Sequence, residues 1–155
     1  FGMGCRSVTK VWLPKGFDLD RCFAQWVRWG HLGQHGKYAN NYDYHKAVWL
    51  LNKEEMLENG FLLVKADDGL VSPIGTLFIE RYEEASAVQA QLTDRKDDIQ
   101  VVTLRADSAS RAPLEEGGMR VASLGENQCP TLRDYADGVD TMSFLLTLPK
   151  PPVEV

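Results

Sequence analysis

Several things are scarce in this chain of 155 residues. No apolar run approaches the length that spans a bilayer as a helix. Cysteine is rare and odd in number, with Cys5, Cys22 and Cys129 irregularly spaced. Such a set makes no disulfide framework, and a reducing cytoplasm is the expected setting. A basic excess is missing too: 17 Lys and Arg stand against 22 Asp and Glu, with the two signs interspersed. That balance argues against the basic face that nucleic-acid binding requires. No glycine-rich phosphate fingerprint follows a strand and opens a helix. His31 and His35 are four apart, but Gly30, Gly33 and Gly36 interleave them, and no carboxylate or cysteine lies nearby to complete a zinc set. No metal site is expected. The acidic pairs Asp67-Asp68, Asp97-Asp98 and Glu115-Glu116 fall in turns or loops, where solvation accounts for them. No internal repeat or linker is visible, and Phe1 stands where an initiator Met would. The start is therefore expected to lie inside a domain.

What is present is an ordinary folding composition, 44% apolar and 25% charged, enough for one domain or part of one. Thr9 to Leu13 is rich in β-formers and predicts a strand that Pro14-Lys-Gly16 ends. Asp18 is placed as an N-cap, with Leu19, Cys22, Phe23, Trp26 and Val27 at helical spacing and Gly30 as a left-handed stop. Cys22 falls on the apolar face of that helix. Gly30 to Asn41 has the composition of a surface loop, and Asn41 is placed as the cap of a helix over 42–51. Asn52 and Glu55 suggest a short helical piece to Asn59. Phe61 to Lys65 and Ile74 to Tyr82 are predicted strands, separated by a turn at Asp67-Asp-Gly69. A helix over 84–96 is expected to turn Ala85, Val88, Leu92 and Ile99 inward. Gln100 to Leu104 and Met119 to Ser123 are further strands, with 105–118 a loop between them. Thr131 and Asp134 form a weak capping pair, and Asp140 caps a last helix to about Leu148. The Pro-rich end, 149–155, is expected to be loose, leaving 1–148 as the domain. Strands alternating with helices imply an α/β fold with a mostly parallel sheet and flanking helices.

Three groups of residues could carry chemistry. Cys5 lies on a glycine-flanked segment just ahead of a strand, where backbone amides could hold an oxyanion beside a thiolate. A lone cysteine near a terminus is more often inert. Tyr42 and His45, beside Asp43 and Lys46, would sit at a helix N-terminus and could bind a phosphate or a polar substrate. A plain capped helix start explains them as well. The tryptophans Trp12, Trp26, Trp29 and Trp49 could line a greasy channel but suit a core better.

Gly4-Cys-Arg-Ser-Val-Thr-Lys-Val-Trp-Leu13 resembles the active-site segment of the aldehyde dehydrogenase superfamily. There a glycine precedes the nucleophilic cysteine and a basic residue, here Lys10, stands five positions on. Ser72-Pro-Ile-Gly-Thr-Leu-Phe-Ile-Glu-Arg-Tyr82, a helix and Gln100-Val-Val-Thr-Leu104 resemble the strand, helix and strand that follow. Lys37-Tyr-Ala-Asn-Asn-Tyr-Asp-Tyr-His-Lys46, Asn59-Gly-Phe-Leu-Leu-Val-Lys65 and Gln128-Cys-Pro through Asp134-Tyr-Ala-Asp-Gly-Val-Asp-Thr141 are similar to the acyl-CoA reductases related to the bacterial luminescence fatty acid reductase. The resemblance implies part of an aldehyde-dehydrogenase-like catalytic domain. It implies NADPH- or NADH-dependent reduction of a fatty acyl-CoA or acyl-protein thioester to an aldehyde, through an acyl-enzyme on Cys5. It also implies a homo-oligomer or a complex with an acyl-activating enzyme. The family's Glu-x-Phe contact to the nicotinamide ribose is replaced here by Gly69-Leu-Val-Ser-Pro73. The cofactor-binding half would lie upstream, so no cofactor residue is assigned. Two other readings stay open: a non-catalytic α/β binding or assembly module, and a cysteine acyltransferase or hydrolase that uses no hydride.

Overall fold

The computed structural model describes residues 2, 4–132, 134–135 and 138–147. Its centre is β4 (Thr76–Tyr82), flanked by β1 (Lys10–Pro14) and β3 (Leu63–Ala66), both parallel to it. The short β2 (Leu57–Glu58) adds antiparallel to β3, giving the order β1-β4-β3-β2. Thr76, Leu77, Phe78 and Ile79 are all buried. A strand covered on both faces needs no polar alternation, and this explains the continuous apolar run at the centre of the chain.

One face of the sheet carries Leu13, Val64, Leu77 and Ile79, closed by Leu19 together with Phe23 and Trp26 of α1 (Asp20–Trp26). The other face packs Leu63 and Phe78 against Tyr42 and Trp49 of α2 (Gly36–Leu51). Gly75 fixes how closely α2 can approach. Its φ is +76°, and a Cβ there would lie 3.2 Å from the Tyr42 Cβ and 3.3 Å from the Tyr42 Cα. Glycine alone satisfies both the conformation and the contact.

After β4, α3 (Ala85–Asp94) leads to a separate two-stranded sheet. There β5 (Val102–Leu104) pairs parallel with β6 (Val121–Ser123). Leu92, Leu114 and Met119 form its core, with Trp12 of β1 packed against it. Gln91 links the two parts, accepting from the Trp12 indole at 3.3 Å and donating to Glu80 at 3.1 Å. The fold is thus mixed α/β and mostly parallel, as expected, but divided between two sheets.

Several expectations need correction. Residues 30–41 are helical rather than a loop: a 3₁₀ segment runs Val27–Gln34, and α2 starts at Gly36. Tyr38, Tyr42 and Trp49 recur at helical spacing on one buried face, and their burial outweighs the glycine content. Gly33 lies in that 3₁₀ segment, where a Cβ would make only ordinary contact with Phe61 at 3.5 Å, so its presence does not oppose the helix sterically. Gly30 has no positive φ, and Val27 is exposed rather than on the apolar face. Asn41 does not cap a helix; its side chain donates back to the Lys37 carbonyl within α2. The stretch after Asn52 turns through Lys53, at φ 59°, into β2 instead of forming a helix. Residues 105–118 contain α4 (Arg111–Glu116), anchored by the buried Leu114, with Pro113 in the first turn where it blocks no needed bond. Ala85 is exposed. The last helix, α5 (Thr141–Thr147), begins where Asp140 accepts the Ser143 N–H at 3.0 Å. Leu148 and the Pro-rich tail lie outside the described residues.

Candidate functional site

Cys5 sits at the second position of a tight turn. The Ser7 N–H donates to the Gly4 carbonyl at 2.9 Å, and the Gly4 N–H donates to Ser7 Oγ at 3.2 Å. The turn therefore holds itself at both ends. Its two central N–H groups, those of Cys5 and Arg6, make no backbone hydrogen bond among the described residues. The thiol between them is exposed. Two tethers fix the turn to the fold. Asn127 Nδ2 donates to the Arg6 carbonyl at 2.8 Å, and Thr9 Oγ1 donates to the Leu70 carbonyl at 2.7 Å.

Lys10 does not face the thiol as a free charge. Its ammonium meets Glu80 at 2.6 Å and the Asp68 carbonyl at 2.9 Å, and stacks 5.0 Å from the Trp12 ring centroid. The basic residue five positions after Cys5 thus locks β1 to β4 and to the turn after β3. Around Cys5 open the exposed apolar side chains Val8, Val71 and Leu124, all bordering one groove of about 810 Å³. No histidine borders it.

Tyr42 and His45 do not join this site. Neither borders the groove, and both lie in the middle of α2, so the helix-terminus explanation for anion binding is overturned. Tyr42 is buried, and its hydroxyl donates to the Glu58 carboxylate. Burial first, and then that hydrogen bond, push the phenol well above its ordinary pKa. Glu58 also accepts the Gly60 N–H at 3.0 Å and meets Lys46 at 3.3 Å. This is a satisfied polar cluster that ties α2 to β2. His45 lies against the rings of Tyr44 and Trp49, and desolvation lowers its pKa.

Trp29 is exposed, Trp49 is core, and Trp12 and Trp26 pack at the edges of two cores. Among the described residues no cluster of His, Cys, Asp and Glu could hold a metal. The residue that sequence reading missed is Asn127. A single asparagine in a polar loop carries no signal of its own, and only the fold brings it across 121 positions to Arg6. No family model, no curated protein and no solved structure matches this chain.

Proposed function

We propose that Cys5 is an acyl-accepting nucleophile, and that these residues are the nucleophile-bearing C-terminal part of an acyl-CoA reductase of the aldehyde dehydrogenase type. The observation that carries this reading is the Cys5 turn: an exposed thiol beside two amide N–H groups that make no backbone hydrogen bond among the described residues, on a tethered turn just ahead of a strand. The Cys5 thiolate attacks the thioester carbonyl carbon. The Cys5 and Arg6 N–H groups supply donors for the oxyanion. Collapse of the adduct breaks the bond to the coenzyme A sulfur, which leaves as a thiolate and takes a proton from solvent. The acyl group stays on Cys5 as a thioester of similar energy, so the step needs no energy input. Val8, Val71 and Leu124 give the first part of an acyl chain an apolar surface.

The nicotinamide cofactor that reduction would require finds no fit among the described residues. The turn from β4 into α3 is Glu83-Glu84, without glycine and with two carboxylates that repel a pyrophosphate. The loop from β1 into α1 carries Asp18, α1 itself opens on Asp20, and Arg105 after β5 is already paired with Asp107 at 2.7 Å. The reading for these residues therefore ends at acyl transfer.

Intact-mass measurement of the chain with hexadecanoyl-CoA tests it. The expected product is a single hexadecanoyl adduct that disappears in Cys5→Ala and persists in Cys22→Ala and Cys129→Ala. No adduct, or one that survives Cys5→Ala, removes the proposal. A second reading, a non-catalytic binding or assembly module, is favoured by β1 and β5, each of which keeps one side unpaired by any other strand among the described residues.

A further inference from the structure

Two buried tyrosines of α2 are treated differently by the fold. Tyr42 is 5% exposed, and its hydroxyl donates to Glu58. Tyr38, in the first turn of α2, is 6% exposed, and its hydroxyl has no hydrogen-bond partner among the described residues. Burial alone raises its pKa, with no hydrogen bond adding to the rise or opposing it. A buried tyrosine hydroxyl usually finds a partner, because an unpaired one is costly. Among the described residues, the side-chain polar atoms that are both enclosed and unpartnered are Asn59 Nδ2 and Thr76 Oγ1. The Tyr38 hydroxyl is not enclosed with them, so it faces an opening. Tyr38 borders a pocket of about 160 Å³ and does not border the Cys5 groove.

No Asp, Glu, Lys, Arg or His borders this pocket among the described residues. A charged ligand would enter it uncompensated, so the occupant is neutral. Val8, Leu32, Leu62 and Pro73 supply apolar walls. The polar side chains divide by role. Tyr38 keeps an uncommitted O–H. Thr9 Oγ1 donates to the Leu70 carbonyl at 2.7 Å, and Ser72 Oγ donates to the Thr76 carbonyl at 2.8 Å. Both border the pocket with their protons spent, and so offer lone pairs only. One donor on α2 and two acceptors ahead of β1 and β4 match a group with a carbonyl on one side and an N–H on the other. The space equals about five waters at ~30 Å³ each. Each buried water needs two to four polar partners, and the apolar walls leave a row of them short. A whole drug-sized ligand needs about 300 Å³ or more, so one functional group with its adjacent carbons is what fits.

We infer that the Tyr38 pocket binds a neutral amide, whose carbonyl accepts from Tyr38 and whose N–H donates to Thr9 or Ser72. Val8, Thr9 and Ser72 also border the groove that holds Cys5, so a ligand lying in the groove can turn an amide into the pocket. The inference rests on the pocket alone and is independent of the thiol chemistry at Cys5.

Heteronuclear NMR titration of the full chain, as wild type and as Cys5→Ala, with N-methylacetamide tests it. Saturable shifts are expected at the backbone amides of Thr9, Ser72 and Gly75 in both, while those of β5 and β6 stay in place. Tyr38→Phe keeps the ring and removes one neutral hydrogen bond, so affinity is expected to fall about fivefold. Without ligand, the same variant should leave the urea midpoint unchanged or higher, since it gives up no bond. Tyr42→Phe should lower that midpoint. S-methylpantetheine, with two amides on a flexible arm, separates two sources of the amide. Tighter binding than N-methylacetamide assigns the pocket to the arm of a thioester, and equal or weaker binding assigns it to a small free amide; both results support the inference. The absence of any saturable shift overturns it, leaving a pocket of water. So does equal affinity in wild type and Tyr38→Phe, or 1-propanol that binds as tightly as the amide. A Tyr38→Phe midpoint that falls as far as that of Tyr42→Phe overturns it too, because the hydroxyl would then have a partner within the fold.

Discussion

Leu63 and Leu114 are equally hidden, at 0% and 1% exposure, yet they sit in cores of different kinds. Leu63 lies on a strand paired on both sides and covered by α2. Leu114 lies on a six-residue helix over a sheet of two three-residue strands. Around the first, polar groups are spent locally: Lys65 meets both Glu54 and Asp67, and Tyr42 is bonded to Glu58. Beyond the second, Leu124, Val139, Met142, Phe144 and Leu146 are exposed. Burial of a single side chain therefore does not measure how firmly its neighbourhood is held. What differs is how many strands and helices must open together to reach it.

The largest expected effect turns on this contrast. Leu63→Ala is expected to cost about 4 kcal/mol of global stability, and Leu114→Ala about 3 kcal/mol of local stability. Urea unfolding followed by tryptophan fluorescence, with Trp26 and Trp49 at the cores of the first sheet, should shift strongly for the first and little for the second. Hydrogen exchange should show the reverse locality, with Leu114→Ala releasing β5 and β6 while β3 and β4 stay protected. Equal loss of protection in both sheets would show one cooperative unit and dissolve the comparison.

The two regions also differ in how far they can be read from sequence. β1, β3 and β4 announce themselves through β-branched and aromatic runs closed by Pro14, Gly69 and Ser72-Pro73. α3 and the start of α5 are equally plain, from Val88 and Leu92 and from Asp140. The start of α2 was hidden, because Gly36 and the asparagines suggest a loop. Only the sheet beneath it makes burial of Tyr38 and Tyr42 favourable enough to extend the helix. α4 was hidden because one buried leucine in a six-residue helix leaves no periodicity to count. Around Cys5, what was legible was the local pattern, a glycine before it and the strand β1 after it. The tether to Asn127 was not, since a contact across the chain leaves no local pattern. The role of Lys10 was legible only as a position, and its ion pair with Glu80 came from the fold.

A smaller effect should appear in acid, and Asp67 carries part of it in the first region. The hydrogen bond from Lys65, followed by that from the Gly69 N–H, holds the Asp67 carboxyl below its ordinary pKa. A depressed carboxylate contributes stability above the unfolded value of about 4, and loses it as pH falls through the folded value. Because the group is partly solvated, the contribution is under about 1 kcal/mol. Asp67→Asn should lower stability at pH 6 and flatten its dependence on pH below 4. A variant whose acid limb matches the wild type would place the acid sensitivity elsewhere.

The smallest effect concerns where the two regions meet, at the Cys5 turn. Cys5 and Cys129 are exposed, whereas Cys22 is half-buried. Burial raises the Cys22 thiol pKa, with Arg21 opposing and Asp18 adding to the rise. Iodoacetamide at pH 7 should therefore label Cys5 and Cys129 before Cys22, because the thiolate is the reacting form. The turn that presents Cys5 belongs to the first region, but the Asn127 side chain that holds the Arg6 carbonyl belongs to the second. One hydrogen bond of this kind contributes about 1 kcal/mol, so Asn127→Ala should change the Cys5 labelling rate by no more than about fivefold. Cys22 should be unaffected, since its helix packs against the first sheet through Phe23 and Trp26. Leu114→Ala should reproduce the Cys5 change if the second region positions the turn as a unit. If Asn127→Ala alters the rate and Leu114→Ala does not, the tether acts alone, and the loop after β6 keeps its place even when the core beneath it is loosened.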